Sequence, residues 1–330
     1  MKPFAYERAA DAAGALALVA DGLQARFLAG GTNLVDLMKL EVETPELLVD
    51  IGDLGHDAIE PTAGGGLRIG AGVTNSDLAA DRSVRERYPV LAQALLAGAS
   101  GQLRNLATVG GNLLQRTRCA YFQDVSKPCN KRQGGRDPDG CPAREGEHRN
   151  LAVLGHSEAC VATHPSDMAV ALAALGALVH VAGPAGERTV PMPGLHRLPG
   201  DEPQRDTVLA PGELITAVEL PPLAFGDRSS YRKVRDRASY AFAVVSVAVA
   251  LDLDGDTVRD CRIAFGGLAH APWRAERAEA ALRGAPVGEE RFRAAADAEL
   301  SAAEPLRDNA FKVPLASNVL VRTLAELCVP

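Results

Sequence analysis

Apolar residues in the first sixty positions occur in short groups that alternate between helical and strand-like spacing. Helical spacing predicts helices at Asp11–Ala20 and Leu34–Leu40, and continuous apolar runs predict strands at Arg26–Ala29 and Leu47–Ile51. This alternation is typical of an α/β unit, which we expect to span residues 1–60.

A second unit is expected over residues 61–222, opening after the turn Gly64-Gly65-Gly66. Its predicted strands are Leu67–Ala71, Ala159–Thr163 and Ala177–Val181, and its predicted helices are Asn75–Ala80, Val84–Ala97 and one that follows Ser166. The segment Pro184–Pro222 is rich in proline and glycine, so we expect irregular surface chain there.

A third unit is expected over residues 223–330. Its predicted strands are Ser229–Val234, Ala241–Leu253 and Thr257–Phe265, and its predicted helices are Trp273–Arg283, Glu289–Ala303 and Ala316–Cys328. Asp254-Gly255-Asp256 is a hairpin signal between the last two strands. The pattern predicts an α+β protein, in which a two-part α/β region precedes a three-stranded antiparallel sheet with a helical bundle.

Composition places the chain among ordinary folded proteins, since 47% of its 330 residues are hydrophobic and 23% are charged. The longest apolar stretch, Ala241–Leu251, is shorter than the ~20 residues of a bilayer-spanning helix, so we expect no membrane span. Residues 1–8 contain neither an apolar signal core nor a twin arginine, and we therefore expect no export signal on this chain.

Charge is unevenly distributed along the chain. The formal charge of −7 argues against nucleic acid as a partner, yet residues 101–150 carry nine basic and only five acidic side chains. The basic residues include Arg118, Lys127, Lys131, Arg132 and Arg136. Such a region is either a solvated surface or the surroundings of a bound anion.

Two glycine pairs are candidates for binding a phosphate. Phe27–Leu34 leads from a strand through Gly30-Gly31 to Thr32 and Asn33, and Ala107–Leu113 repeats the Gly-Gly-Asn chemistry. Adjacent glycines permit positive φ angles, so that consecutive backbone N–H groups can converge on an anion. The alternative is a tight turn with an asparagine helix cap. Two copies favour a diphosphate ligand, although neither contains the G-x-G-x-x-G fingerprint of nicotinamide-binding Rossmann folds.

Four cysteines lie in or beside the polar stretch Arg116–Ser157, which has no hydrophobic period. A structureless loop of this length is uncommon unless something holds it. The four are Cys119, Cys129, Cys141 and Cys160, whereas Cys261 and Cys328 fall in a predicted strand and helix and are expected to be core residues. Disulfides, structural zinc and a [4Fe–4S] cluster are all compatible with four thiols, and spacing alone leaves zinc and iron–sulfur equal.

Two further polar motifs have structural interpretations, and the first of them also has a functional one. Ser166-Asp167 is a helix N-cap with a first-turn acid, or the start of a helix that faces a cofactor. Tyr231–Arg237 is the charged end of a predicted strand, and by itself it indicates a solvated edge.

Together these motifs resemble the FAD-binding subunits of the molybdenum hydroxylases, the family that includes xanthine and carbon monoxide dehydrogenases. The branch most similar is the flavin and iron–sulfur subunit of bacterial periplasmic aldehyde oxidoreductases. The motifs that carry the resemblance span the chain: Ala29–Asn33, Met38-Lys39, Ala107–Asn112, Thr117–Cys119, Pro128–Arg132, Cys160–Asp167, Pro211–Ile215 and Arg232–Val234.

The resemblance implies a PCMH-type flavoprotein fold and a site for FAD. The residues that would hold the diphosphate and ribityl chain are Arg26, Phe27, Leu28, Ala29, Gly30, Gly31, Thr32, Asn33, Leu34, Ala107, Thr108, Gly111 and Asn112. Asp167, Ile215 and Lys233 would line the isoalloxazine ring, and Cys119, Cys129, Cys141 and Cys160 would bind an extra [4Fe–4S] cluster.

The resemblance also implies an electron-transfer subunit of a heterotrimer. A large subunit would carry the molybdenum cofactor and oxidise aldehydes, and a small subunit would pass electrons through [2Fe–2S] clusters to FAD here and on to an external acceptor. We expect no catalytic residue on this chain, and location in the periplasm by co-export with a partner, with the cytoplasm as the alternative. The alternative functions are another molybdenum hydroxylase, of xanthine, carbon monoxide or aromatic acyl-CoA type, a self-sufficient flavin enzyme, and a zinc-stapled nucleotide-binding scaffold.

Overall fold

The computed structural model describes residues 1–20, 24–135 and 137–329, so that Arg136 of the basic region lies outside the described residues. The chain begins with a parallel sheet of order β1-β3-β2, formed by β1 (Ala5–Arg8), β2 (Ala25–Leu28) and β3 (Leu47–Asp50), with helices α1 (Ala12–Ala20) and α2 (Leu34–Lys39). Both predicted strands and both predicted helices of this unit are confirmed within two residues. Strand β1 was not predicted because all four of its residues are exposed and show no apolar pattern.

The second sheet is antiparallel throughout, in the order β4-β5-β8-β6-β7. Its strands are β4 (Ile59–Pro61), β5 (Leu67–Gly70), β6 (Leu178–Gly183), β7 (Gly186–Pro191) and β8 (Leu214–Leu220). The expectation of irregular chain over Pro184–Pro222 is therefore wrong. Strand β7 lies at the sheet edge and consists largely of exposed polar residues, so it shows no apolar pattern. Strand β8 is an apolar run, but it was not predicted because proline and glycine are frequent in the sequence around it. The predicted strand Ala159–Thr163 is also wrong, since only an isolated bridge joins Ser157 to Cys160.

Helices between these strands pack against the second sheet and lead to the cysteines. They are α3 (Asn75–Ala80), α4 (Arg82–Arg87), α5 (Pro89–Ala97), α6 (Gly101–Arg104), α7 (Val109–Leu113), α8 (Ala120–Gln123), α9 (Asn130–Gln133), α10 (Asp167–Leu175) and α11 (Met192–Leu195), with 3-10 turns at Pro138–Gly140 and Pro142–Arg144. The predicted helix Val84–Ala97 is interrupted at Tyr88, because Pro89 begins a new helix at its first position. All nine residues of α10 are buried.

The C-terminal sheet has four antiparallel strands rather than three, in the order β12-β11-β10-β9. They are β9 (Ser229–Val234), β10 (Val245–Asp254), β11 (Thr257–Gly266) and β12 (Trp273–Arg274), followed by α12 (Glu276–Leu282), α13 (Glu289–Leu300) and α14 (Lys312–Leu327). Trp273 and Arg274, predicted as the start of a helix, pair with Phe265 and Ala264 instead. The mixed α+β class is confirmed. No helix in the described part of the chain is long and apolar enough to cross a bilayer.

Candidate cofactor site

A cleft of about 1070 Å³ lies between the first two sheets and the C-terminal sheet. All sixteen residues predicted for FAD line it: Arg26, Phe27, Leu28, Ala29, Gly30, Gly31, Thr32, Asn33, Leu34, Ala107, Thr108, Gly111, Asn112, Asp167, Ile215 and Lys233. These positions come from five separate parts of the sequence. The structure therefore brings together side chains that only the resemblance had grouped.

The first glycine pair follows β2 and has two different steric requirements. Gly31 has φ +68°, a left-handed conformation that glycine adopts without strain. A Cβ on Gly30 would overlap the backbone carbonyl of Leu106. Gly30 therefore permits the loop after β2 to touch the segment that leads into the second glycine pair.

The second pair does not form the expected positive-φ turn. Neither Gly110 nor Gly111 has a positive φ, and both lie within α7. Thr108 is the N-cap of this helix, and its hydroxyl accepts a hydrogen bond from the Gly111 N–H at 3.2 Å. The prediction of two matching nests is wrong, although the second pair still lines the cleft.

Two asparagines connect the walls of the cleft through their side-chain carbonyl oxygens. Asn33 Oδ1 accepts from the Arg116 N–H at 2.8 Å and makes no cap to α2. Asn112 Oδ1 accepts from Ser166 Oγ at 2.5 Å and Gln115 Nε2 at 2.9 Å. Neither side-chain NH₂ has a partner among the described residues, so both amides retain donors for a ligand.

The other end of the cleft contains a buried ion pair. Lys233 Nζ lies 2.7 Å from Asp167 Oδ2, and the two side chains are only 4% and 8% exposed. Tyr231 donates to the other carboxylate oxygen of Asp167 at 2.5 Å. Burial first, and then the Asp167 charge, hold the pKa of Tyr231 well above its usual range, so that the phenol stays protonated. Ser166 also caps α10, accepting from the Ala169 N–H at 3.0 Å, so the structural interpretation of this motif is confirmed, and the helix begins at the cleft.

Three residues of this region are absent from the predicted FAD set. Tyr231 lies two positions before Lys233 on β9, and strand alternation places both side chains on one face, a signal that was available. Tyr240 and Phe242 line the cleft from an exposed loop between β9 and β10; the predicted strand Ala241–Leu253 had included Phe242, but β10 begins only at Val245.

The four predicted cysteines line one small cavity beside the cleft, and Cys119 borders both spaces. Burial raises the pKa of the Cys119 thiol to about 11 and that of Cys160 to about 12, and it also raises the pKa of Cys141. Among the described residues, no group of three or more His, Cys, Asp or Glu side chains is arranged to hold a single metal ion. Cys261 is buried in the C-terminal core, against which Cys328 also packs.

The cations near the cysteines differ in their partners. Lys131 is buried against Asp206 and donates to the carbonyl of Pro203 at 3.0 Å. Arg132 donates to backbone carbonyls, including those of Tyr121 and Phe122 at 2.9 Å, and Lys127 is exposed.

Comparisons with known proteins agree with this architecture over the full chain. Residues 2–223 match the family model of the FAD binding domain in molybdopterin dehydrogenase, and residues 229–327 match that of the CO dehydrogenase flavoprotein C-terminal domain. The chain belongs to the family of FAD-binding medium subunits of molybdenum hydroxylases.

One relative is the aldehyde oxidoreductase FAD-binding subunit PaoB of Escherichia coli (strain K12), which is 53% identical over 99% of this chain and 98% of its own length. The carbon monoxide dehydrogenase medium chain of Hydrogenophaga pseudoflava is 28% identical over 97% of this chain and 96% of its own. A solved structure of carbon monoxide dehydrogenase from that organism superposes with a TM-score of 0.75 at 27% identity, covering all of both chains.

Proposed function

We propose that this chain is the FAD-carrying electron-transfer subunit of a heterotrimeric molybdenum aldehyde oxidoreductase. A large subunit with the molybdenum cofactor would oxidise the aldehyde, and a small [2Fe–2S] subunit would deliver the electrons to this chain. An external acceptor would receive them. The aldehyde substrate is favoured by the PaoB relative, whose sequence is far more similar than that of the carbon monoxide dehydrogenase chain.

The single observation that carries the proposal is the one cleft shared by all sixteen predicted residues. The backbone beside Gly30 and Gly31 and the free amide groups of Asn33 and Asn112 would bind the diphosphate and ribityl chain. They are neutral donors, which suit an anionic group held close to backbone. Bound FAD would supply the redox chemistry, taking up electrons one at a time from the [2Fe–2S] clusters and passing them to the external acceptor.

Asp167, Tyr231 and Lys233 would position the ring end of the cofactor. The ion pair holds the Lys233 ammonium at a fixed point, and the carbonyl of Ala97 accepts from the same Nζ at 3.1 Å. Because Asp167 already binds both Lys233 and Tyr231, it is not free to take a proton from a substrate. These residues would fix position and charge rather than act as acid or base.

The four-cysteine cavity would hold a [4Fe–4S] cluster. Four thiols line one small space, where they pack in a small apolar cluster with Phe122, Leu151 and Val161, and ligation would add to the bonding of this segment. Because burial favours the neutral thiols of Cys119 and Cys160, a cluster would have to displace their protons on binding. We further propose that the chain reaches the periplasm by co-export with a partner subunit.

The proposal is tested by cofactor analysis of anaerobically purified protein. We expect one FAD, released into the supernatant by acid precipitation, and about four iron and four sulfide per chain. Replacing Cys119, Cys129, Cys141 or Cys160 by Ser should remove the iron, whereas the control Cys261→Ser should retain it. Zinc without iron would refute the cluster, and a chain that binds no FAD would refute the function as a whole.

A further inference from the structure

Arg118 lies at the boundary between the four-cysteine cavity and the cofactor cleft. It immediately precedes Cys119, and both residues line the cleft. Its guanidinium stacks over the ring of Phe242 at 4.8 Å and donates to the carbonyl of Arg116. No ion pair to Arg118 occurs among the described residues, and the nearby Asp36 is exposed and paired with Lys39 at 4.0 Å.

Two neighbouring cations, Lys131 and Arg116, are paired with carboxylates, in contrast to Arg118. Lys131 is paired with Asp206, and Arg116 contacts both Asp206 (Nε–Oδ2, 2.6 Å) and Glu43 (Nη1–Oε1, 2.5 Å). Burial raises the pKa of the Asp206 carboxyl, but Lys131 and Arg116 outweigh it and lower that pKa, so that the carboxylate stays charged. These two cations therefore leave little net positive charge for a ligand.

The histidines on the same wall add no charge. Burial and nearby cations lower the pKa values of His164, His196 and His270, that of His270 to about 3, so that the imidazoles are neutral near pH 7. His164 Nε2 is buried without a hydrogen-bond partner among the described residues, and its ring lies 4.1 Å from that of His196. Among the described residues, this wall therefore contains an imidazole nitrogen without a hydrogen-bond partner, beside a guanidinium without a carboxylate partner.

We propose that Arg118 is a shared counter-ion for the cofactor in the cleft and for the thiolate cluster behind Cys119. The inference rests on the proposed function and adds a specific residue that links its two cofactor sites. A half-buried guanidinium without an anion is unfavourable, and the negative groups of both cofactors would compensate it. Because reduction adds negative charge to each centre, the guanidinium would favour the reduced form of both.

The first experiment measures FAD rebinding to cofactor-depleted, full-length protein by flavin fluorescence. Arg118→Gln should weaken binding by about 10–100-fold, the equivalent of one charge-assisted hydrogen bond. Arg118→Lys should restore part of the affinity because it keeps the charge, and the exposed control Lys127→Gln should bind like the wild type. Equal affinity of the Gln and Lys variants would overturn a role for charge.

The second experiment is a spectroelectrochemical titration of the flavin and cluster in the loaded protein. In Arg118→Gln both midpoint potentials should move to more negative values, and in Arg118→Lys they should stay nearer to the wild type. A shift of only one centre, or of neither, would overturn the shared role while leaving the cofactor assignment intact. Should the Gln variant fail to fold, Arg118→Met, which retains the apolar stem against Phe242, takes its place.

Discussion

At Gly30, the absence of a side chain permits the close backbone contact that forms one wall of the cofactor cleft. The Cα of Gly30 faces the Leu106 carbonyl so closely that no other residue fits without moving backbone. The loop after β2 and the turn before α7 therefore meet only if this position is glycine. The glycine pair was found in the sequence, but its reason was misjudged. Close approach matters at Gly30, and a positive φ matters at Gly31 alone.

We predict that Gly30→Ala destabilises the protein by about 1–3 kcal/mol, the usual cost of overpacking, and abolishes high-affinity FAD binding. Urea denaturation and flavin content measure the two effects. Gly64→Ala is the matched control, because a Cβ there meets nothing within 4 Å and its φ is not positive. Normal flavin content in Gly30→Ala would show that the loop can move without loss of the site.

Lys312 is a buried cation whose ligands are backbone oxygens. It is fully buried on α14, and its Nζ donates to the carbonyls of Leu151 at 2.8 Å and Gly267. Burial first, and then the charge of Arg149, lower its pKa from 10.5 to about 7. The lysine thereby joins the end of the cysteine segment to the C-terminal sheet.

We predict that the free energy of unfolding rises with pH between about 7 and 10.5 because of Lys312. In that window the unfolded chain retains a proton that the folded chain has released, so the slope from this group approaches about 1.4 kcal/mol per pH unit. Burial of the Lys312 charge lowers the free energy of unfolding by its full amount below the pKa of the folded state, and it has no effect above the pKa of the unfolded state. Denaturation of wild type and Lys312→Met at pH 7, 8 and 9 tests this, and parallel pH profiles would contradict it.

At the scale of the elements, apolar periodicity predicted most of those that face a core, but it missed the buried strand β8 and the exposed strands. Strand β9 has the predicted bounds, and α10 begins after the predicted cap Ser166. Strand β7 was missed because five of its six residues are exposed. Strand β12 was missed because two residues are too few to show a periodicity. Such strands form because they pair with strands that are distant in the sequence, and a local hydrophobic pattern does not indicate these partners.

Ser166 has two roles at the start of α10, as cap and as partner of Asn112. We predict that Ser166→Ala lowers the free energy of unfolding by about 1–3 kcal/mol, combining the loss of a cap and of a side-chain hydrogen bond, and weakens FAD binding. Ser100→Ala is the control, since Ser100 caps α6 through the Leu103 N–H at 3.3 Å. Equal FAD affinity in the two variants would show that Ser166 acts on the helix alone.

At the scale of the whole molecule, the cleft could be assembled from sequence only through the resemblance. The two Gly-Gly-Asn motifs indicated an anion site, but nothing local placed Asp167 beside Lys233, which is 66 positions away. The four cysteines were grouped by elimination and resemblance, and the structure brings them to one cavity. Their ligand stays a prediction.

We predict that the purified chain, loaded with its cofactors, does not oxidise aldehydes by itself. The buried carboxylate of the cleft is already engaged by a lysine and a tyrosine, and the proposed role of the chain is to pass electrons. Dye reduction with an aldehyde should appear only after the molybdenum and [2Fe–2S] subunits are added. Turnover by the molybdenum-free chain would contradict the proposed division of labour.

The Asp167–Lys233 pair has a consequence for the order of events during protein synthesis. Asp167 begins a helix in the middle of the chain, whereas Lys233 lies on the first strand of a sheet that is completed only at Arg274. A nascent chain that has emerged as far as α10 therefore has both glycine pairs but an unpaired acid in the cleft. Domains generally fold as units during translation. Stable cofactor capture should thus wait until the last third of the polypeptide has left the ribosome.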